Sequence, residues 1–93
     1  MTTASVSSAT PVKLSSSGNR DFCAIYNNGG ATLYVCFDGS AGANGANLTA
    51  ANGFPIPSGQ SLFISNDGNR NVYNQEIWGI SGGATLDVRI QGA

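Results

Sequence analysis

Hydrophobic and polar residues alternate along the chain with a period of two, most clearly over Thr85–Gln91. In that segment Leu86, Val88 and Ile90 are separated by polar residues, which is the pattern of a strand with one buried face. No stretch of ten residues keeps the apolar spacing of an amphipathic helix, because Gly or Asn interrupts every candidate. The hydrophobic pattern therefore predicts a chain built from strands.

Short strand-like segments and turn residues follow one another along the whole chain. The turn signals are Ser17-Gly18-Asn19, Asn28-Gly29-Gly30, Asp38-Gly39, Pro57-Ser58-Gly59, Asp67-Gly68-Asn69 and Gly82-Gly83. This spacing predicts one all-β domain over residues 1–93, a small antiparallel β-sandwich or jelly-roll-like barrel of about seven or eight short strands. We expect residues 1–10 to form an N-terminal arm. Residues 38–53 are expected to form a long loop with one helical turn near Leu48–Ala51.

An internal repeat supports a regular arrangement of these strands. The sequence Gly-Gly-Ala-Thr-Leu occurs at Gly29–Leu33 and again at Gly82–Leu86, and Gly-Asn-Arg precedes each copy, at Gly18–Arg20 and Gly68–Arg70. Similar turns use similar residues, so the repeat alone is compatible with coincidence. We interpret the two copies as equivalent β-hairpins.

The hairpin turns predict which residues share a face. A two-residue or four-residue loop at Gly29-Gly30 gives the same register, whereas a three-residue loop would break it. The predicted core face consists of Phe22, Ala24, Tyr26, Leu33, Val35 and Phe37, with Ile77, Gly79, Leu86, Val88 and Ile90 from the second hairpin. The apolar residues after both turns then face one core, as two packed sheets require.

The opposite face is also partly apolar, and sheets with two apolar faces are covered on both sides. We favour another subunit as the cover, because exposed apolar patches usually mark interfaces. The 40–53 loop and the N-terminal arm are the alternatives. The predicted interface residues are Val6, Ile25, Tyr34, Cys36, Trp78 and Ile80.

Composition and charge exclude several classes of function. The chain has four basic residues, five acidic residues and no histidine, and Gly, Asn, Ser and Thr make up 40 of its 93 residues. This balance gives no electrostatic footprint for nucleic acid. No apolar run approaches the ~20 residues of a membrane-spanning helix. Because the serines have no activating base, we predict neither a catalytic site nor a cofactor.

The two cysteines, Cys23 and Cys36, face each other in the predicted first hairpin. A disulfide between adjacent strands is strained, so we interpret the pair as two buried thiols that act as small apolar residues. Residues 1–10 contain neither the basic start nor the apolar run of a secretory signal. Reduced thiols and assembly in the cytoplasm are therefore expected.

Three other features are candidate functional sites: an acid–base pair, a metal site and a sugar-binding ring. Glu76 and Arg89 are predicted cross-strand partners, and we interpret them as a surface ion pair rather than an acid–base pair. Asp38–Ser40 and Asn66–Asn69 carry oxygen ligands without the spacing of an EF-hand loop, so we interpret both as Asx turns and predict no metal site. Trp78 offers a ring on which a sugar could stack, although an anchor in a core or interface is the more frequent role of tryptophan.

The order of short motifs resembles that of small virion proteins of tailed bacteriophages. The resemblance covers nearly the whole chain through Asn19-Arg20, Phe22–Asn28, Leu33–Phe37, Gly53–Leu62 and Trp78–Arg89. It implies a β-sandwich or jelly-roll-like unit of the particle, often a trimer, that decorates or cements capsids or belongs to a neck or tail fibre. The 40–53 segment is longer than the connection expected from this resemblance.

These observations lead to one expected function and two alternatives. We expect a capsid decoration (cement) protein, a homotrimer that binds the major capsid protein and becomes part of the virion. It would bind neither nucleic acid nor membrane, and it would not be an enzyme. The alternatives are a neck, tail or fibre component of the phage particle, and a carbohydrate-binding module that uses Trp78.

Overall fold

The computed structural model describes residues 2–15, 22–36, 48–65 and 77–92. These residues contain eight short strands and no α-helix, which confirms the predicted all-β class. In chain order the strands are β1 (Thr2–Val6), β2 (Val12–Ser15), β3 (Phe22–Asn27), β4 (Leu33–Cys36), β5 (Phe54–Ile56), β6 (Ser61–Ser65), β7 (Ile77–Ser81) and β8 (Leu86–Gly92).

The strands form two antiparallel sheets that pack face to face. Sheet A has the order β1-β8-β3-β6, and sheet B has the order β2-β7-β4-β5. In both sheets, strands from the first half of the chain alternate with strands from the second half. This interleaved order is that of a jelly roll, in which two Greek keys share one sandwich.

The two halves of the chain are arranged with approximate two-fold symmetry. Exchanging β1–β4 for β5–β8 converts the order of sheet A into the order of sheet B read backwards. The repeated sequences Gly29–Leu33 and Gly82–Leu86 accordingly lie at equivalent places, after β3 and after β7. The equivalence of the two Gly-Gly-Ala-Thr-Leu copies is thus confirmed, whereas Gly18–Arg20 and Gly68–Arg70 lie outside the described residues.

The hydrophobic core fills the space between the sheets. Its buried members are Val6, Leu14, Cys23, Ile25, Leu33, Val35, Ile56, Ile77, Leu86, Val88 and Ile90. The predicted core positions after both repeated turns are confirmed, except that Phe37 lies outside the described residues. Period-two alternation locates these residues because each strand has one face against the opposite sheet.

The repeated turns are not hairpins, and this prediction is wrong. β3 lies in sheet A and β4 in sheet B, so residues 28–32 cross the ~10 Å between packed sheets. Likewise, residues 82–85 take the chain from β7 in sheet B to β8 in sheet A. We call these two connections the first arch and the second arch.

The crossing reverses the predicted orientation of β3. Because β3 and β4 face each other across the core instead of pairing, Cys23 and Ile25 point inward and are 1% and 0% exposed. Phe22, Ala24 and Tyr26, which the hairpin register assigned to the core, lie on the outer side of sheet A. The predicted contact between Cys23 and Cys36 is wrong for the same reason.

The side chain of Asn27 holds the first arch together although it is completely buried. Its Nδ2 donates hydrogen bonds to the carbonyl oxygens of Ala31 at 2.8 Å and of Ile56 at 2.9 Å. Its Oδ1 accepts a hydrogen bond from the N–H of Gly29 at 3.0 Å. Since Ile56 belongs to β5, this single amide connects sheet A, the arch and the edge of sheet B.

Ser81 has the corresponding role in the second arch, where it is 3% exposed. Its hydroxyl donates to the carbonyl oxygen of Ala84 and accepts a hydrogen bond from the N–H of Gly83. Both arches therefore satisfy their backbone groups through a buried polar side chain at the end of the preceding strand.

The first arch also bonds to β8, and the second arch also bonds to Thr32, the last residue of the first arch. The N–H of Asn28 donates to the carbonyl oxygen of Asp87, and the N–H of Gly82 donates to that of Thr32, both at 2.9 Å. These reciprocal bonds extend the central strand pairs of the two sheets and fix the arches relative to each other.

The segment expected to be an N-terminal arm is part of the sandwich. Over Thr2–Val6 it forms β1, which pairs with β8 at the edge of sheet A. Val6 is completely buried in the core, opposite Leu86 in the strand register. The prediction of an N-terminal arm is therefore wrong for Thr2–Val6.

Replacing Asn27 with alanine should destabilise the protein strongly. The change leaves two carbonyl oxygens and one N–H without their partner at a buried site, and each such group costs ~1–3 kcal/mol. We expect the free energy of unfolding, measured by urea denaturation, to fall by about 2–4 kcal/mol. Asn28→Ala is the control, because the exposed Asn28 side chain makes one bond at the surface. Equal losses for the two variants would contradict the assigned role of Asn27.

The two glycines of the first arch should differ in their tolerance of alanine. A Cβ on Gly29 would lie 2.4 Å from Cδ2 and 3.0 Å from Cα of Leu86, whereas a Cβ on Gly30 would meet nothing within 4 Å. Gly29→Ala should therefore lower the free energy of unfolding by about 1–3 kcal/mol through overpacking. Gly30→Ala should change it by less than ~0.5 kcal/mol. Thermal unfolding of both variants tests the close approach of the arch to β8.

Candidate interaction surfaces

Four of the six predicted interface residues lie together on the outer side of sheet B. Across β4 and β7, Tyr34 pairs with Ile80 and Cys36 pairs with Trp78. Cys36 and Ile80 are each 7% exposed, and Tyr34 and Trp78 pack against them as partly buried neighbours. We call the surface formed by these four residues the covered face.

Residues 48–53 cover this surface. Leu48 packs into the same cluster and is 2% exposed. The following residues form one turn, in which the N–H of Gly53 donates to the carbonyl oxygen of Thr49 at 3.0 Å. Gly53 approaches so closely that a Cβ there would lie 2.6 Å from Cβ of Tyr34. The predicted turn near residues 48–51 is thus present, and it packs against the sheet.

The expectation of an open apolar face at these positions is therefore wrong. The chain itself covers this face. The alternative expectation, that the 40–53 loop covers it, is confirmed for residues 48–53. Trp78 is partly buried and packs against the cluster that contains Cys36, Leu48 and Ile80, as an anchor residue does. Val6 and Ile25 do not belong to this face, because both are 0% exposed within the main core.

Among the described residues, the most exposed large apolar side chain, Phe63, lies instead on the outer side of sheet A. The rings of Phe22 and Phe63 stack with their centroids 5.8 Å apart and their planes at 15°. Phe63 is 62% exposed, and Tyr26, which points outward from the same strand as Phe22, is 39% exposed. The strand register places Phe63 opposite Ala24, between the two β3 aromatics. We call the surface of Phe22, Tyr26 and Phe63 the aromatic face.

The sequence did carry a signal for the aromatic face. Every residue of β3 from Phe22 to Tyr26 is apolar or aromatic, so either orientation of the strand leaves apolar side chains on its outer side. In β6, Leu62 and Phe63 are adjacent and must point to opposite sides of the sheet. Leu62 packs against the core, and Phe63 is therefore directed outward.

Charged side chains of both signs lie beside the aromatic face. Arg89 is opposite Tyr26 in the register of β3 and β8. Its guanidinium is 3.4 Å from the carboxylate of Asp87, and the two side chains are 46% and 45% exposed. Nδ2 of Asn28 donates to the same carboxylate at 3.0 Å. An exposed pair of this kind contributes at most ~1 kcal/mol to stability.

The predicted pairing of Arg89 with Glu76 is not formed by a hairpin. β7 and β8 belong to different sheets, so the hairpin that would place the two residues opposite each other does not exist. Glu76 itself lies outside the described residues, as do Asp38–Ser40 and Asn66–Asn69, the two segments interpreted as Asx turns.

A shallow cavity of about 340 Å³ lies between β1 and the start of β8. Its lining residues are Thr3, Ala4, Ser5, Thr85, Leu86 and Asp87. This lining includes one carboxylate and three hydroxyl groups but no basic side chain. It therefore provides hydrogen-bonding groups without the acid–base pair that proton transfer requires.

Three further kinds of candidate in the described residues are the two cysteines, the metal-ligating side chains and the buried polar atoms. Cys23 and Cys36 are both buried and are not joined by a disulfide, which confirms the interpretation as buried thiols. Within the described ranges, no three metal-ligating side chains come together, and no helix is long and apolar enough to span a membrane. Every buried side-chain nitrogen or oxygen of these ranges has a hydrogen-bond partner.

Comparison with protein-family models, with curated proteins and with solved structures finds no significant match to this chain. The functional argument therefore rests on the residues and geometry given above.

Removing the cover from sheet B should expose one cysteine and leave the other protected. Leu48→Ala takes away the side chain that packs on Cys36, and a large-to-small change in a buried cluster costs ~2–4 kcal/mol. We expect the Cys36 thiol to react with a water-soluble disulfide reagent at least tenfold faster than in the unchanged protein. Cys23 should stay protected, because it lies in the main core.

Peptide mapping after a short labelling pulse separates the two thiols. Thr49→Ala, at the exposed neighbouring position, is the matched control and should leave Cys36 protected. Equal acceleration at both cysteines would mean that the whole sandwich opens, and it would contradict a local covering role for residues 48–53.

Proposed function

We propose that this chain is a structural protein of a bacteriophage particle, with capsid decoration (cementing of the head shell) as its specific role. It would bind the major capsid protein, act as a homotrimer and carry out no catalysis. In this proposal the protein is assembled in the host cytoplasm and then resides in the virion.

The observation that supports this proposal most is where the phage-like motifs fall in the fold. Asn28 begins the first arch, Gly82–Ala84 belong to the second arch, and Pro57-Ser58-Gly59 lies in the turn between β5 and β6. That turn bonds to β3, since the N–H of Gly59 donates to the carbonyl oxygen of Asn27 at 2.9 Å. The motifs are thus the connections of one jelly roll, an architecture that viral capsid domains use, although fold alone does not determine function.

In this proposal the edge of sheet B contacts the shell. β5 is a three-residue edge strand in which Phe54 is 50% exposed and the neighbouring Pro55 is also exposed. Proline has no N–H, so this edge is a poor template for adding another strand. A partner would therefore contact the side chains here, and an exposed aromatic residue is a typical anchor of such contacts.

Adding the purified protein to phage heads that lack it should test cementing. We expect the heads to bind it saturably and to open at a higher temperature, because a ligand that binds only the intact shell stabilises that shell. Phe54→Ser should weaken binding about tenfold or more. Loss of the half-buried ring should cost the free protein only about 1 kcal/mol and leave it folded. Co-sedimentation with heads measures the binding, and light scattering during heating measures the opening temperature.

Ser58→Ala provides the control at an exposed position near the same edge and should bind heads normally. Heads that bind the protein without any gain in heat resistance would contradict cementing. Labelled protein found at the neck or tail, and not on the shell, would overturn the capsid role in favour of the alternative position in the particle.

A further inference from the structure

We propose that the aromatic face is the site at which a second copy of this chain binds. The inference does not depend on the homotrimer of the proposed function, because a face that binds its own copy reciprocally has two-fold symmetry and forms a dimer. The proposed contact surface is on sheet A. The covered face of sheet B is not available for this contact, because residues 48–53 pack against it.

The aromatic face has the composition of the centre of a protein interface. Phe22 and Phe63 are stacked and carry no polar atom, so the water on the exposed Phe63 ring is best replaced by an apolar partner. Tyr26 extends the same surface along β3. Aromatic anchors surrounded by polar residues are the usual arrangement of residues that dominate binding energy.

The charges beside this face match a second copy of the same face. Asp87 and Arg89 have opposite signs and lie on the same strand, two residues apart. A copy that presents the same strand in reverse can place its Arg89 near Asp87 and its Asp87 near Arg89. Asp87 and Arg89 thus make this part of the surface electrostatically complementary to itself, and these two described charges sum to zero, which does not favour a polyanion such as nucleic acid.

The dimensions of the molecule leave enough area for such a contact. The principal extents are 37 × 26 × 18 Å, so a rectangle that encloses the broad side of the sandwich has an area of about 960 Å². A specific interface of standard size buries ~800 Å² on each partner. The aromatic residues alone are too few for that area, and the polar residues of β8 and β1 would form the rim.

The covered face on the outer side of sheet B corresponds to the aromatic face on the outer side of sheet A. Ile80 lies opposite Tyr34 in sheet B as Tyr26 lies opposite Arg89 in sheet A, and each pair is two residues from the corresponding arch bond. On sheet B, Leu48 buries the apolar side chains. On sheet A, Phe63 keeps 62% of its surface exposed. A second copy would give sheet A the cover that the chain itself gives sheet B.

Sedimentation equilibrium of the full chain tests the proposal. We expect the unchanged protein to form an oligomer in the micromolar range, and Phe63→Ser to raise the dissociation constant about 30-fold or more, towards the 9.5 kDa monomer. Phe54→Ser is the matched control, since it removes a ring of similar exposure from the other sheet and should leave the oligomer intact. Circular dichroism of both variants establishes that they fold.

Three results would overturn the proposal. The first is an unchanged protein that stays monomeric up to 1 mM. The second is an oligomer that Phe63→Ser and Tyr26→Ala leave intact, which would place the contact elsewhere. The third is a monomer whose β3 and β6 amide resonances shift with cellohexaose in a Tyr26-dependent way, since a glycan would then be the occupant.

The same experiments separate this inference from the proposed function. Loss of the oligomer in Phe63→Ser while heads still bind it would uphold the interface and leave shell binding to another surface. Phe63-dependent oligomers that never bind phage heads would uphold the interface and contradict the capsid role.

Discussion

The fold depends on one buried carboxamide at the point where the chain leaves sheet A. Asn27 has no exposed surface, and its side chain bonds to the first arch and to the last residue of β5. Its backbone completes the connection, because the N–H of Asn27 donates to the carbonyl oxygen of Gln60 at 3.0 Å. A buried polar group is tolerated only when its hydrogen bonds are made. The first arch, β5 and the β5–β6 turn must therefore be in place together.

This constraint explains why a repeated turn sequence produces arches. A two-residue turn would keep β3 and β4 in one sheet and bond their backbones to each other. Here the side chains of Asn27 and Ser81 take over the bonds that hairpin partners would make. The chain can then cross between sheets without leaving buried backbone groups unpaired, and each crossing brings a strand from one half beside a strand from the other.

The sequence predicts the inner residues of this fold better than its connections. Leu86, Val88 and Ile90 alternate with polar residues, so only one orientation of β8 buries its apolar side. β3 is apolar at nearly every position, so periodicity does not indicate which of its faces is buried. The assumption of a hairpin predicted the wrong face. Whether a Gly-Gly turn closes a hairpin or an arch depends on distant partners such as Ile56, which a local pattern does not contain. The cover of sheet B was foreseen only as an alternative, because its key residue, Leu48, follows a long run of small polar residues.

The outer surfaces of the two sheets carry apolar side chains that the core between the sheets does not bury. A 93-residue sandwich has one thin core, and each strand that is apolar on both sides needs a second cover. Covering sheet B with residues 48–53 requires those residues to be ordered, at a cost of ~1–2 kcal/mol per residue in backbone entropy, and the burial of Leu48 offsets part of it. Covering sheet A with a partner avoids that cost within the chain but makes the cover depend on concentration. In a particle, where many copies are held close together, the effective concentration is high, and a weak contact through Phe63 and Tyr26 would be sufficient.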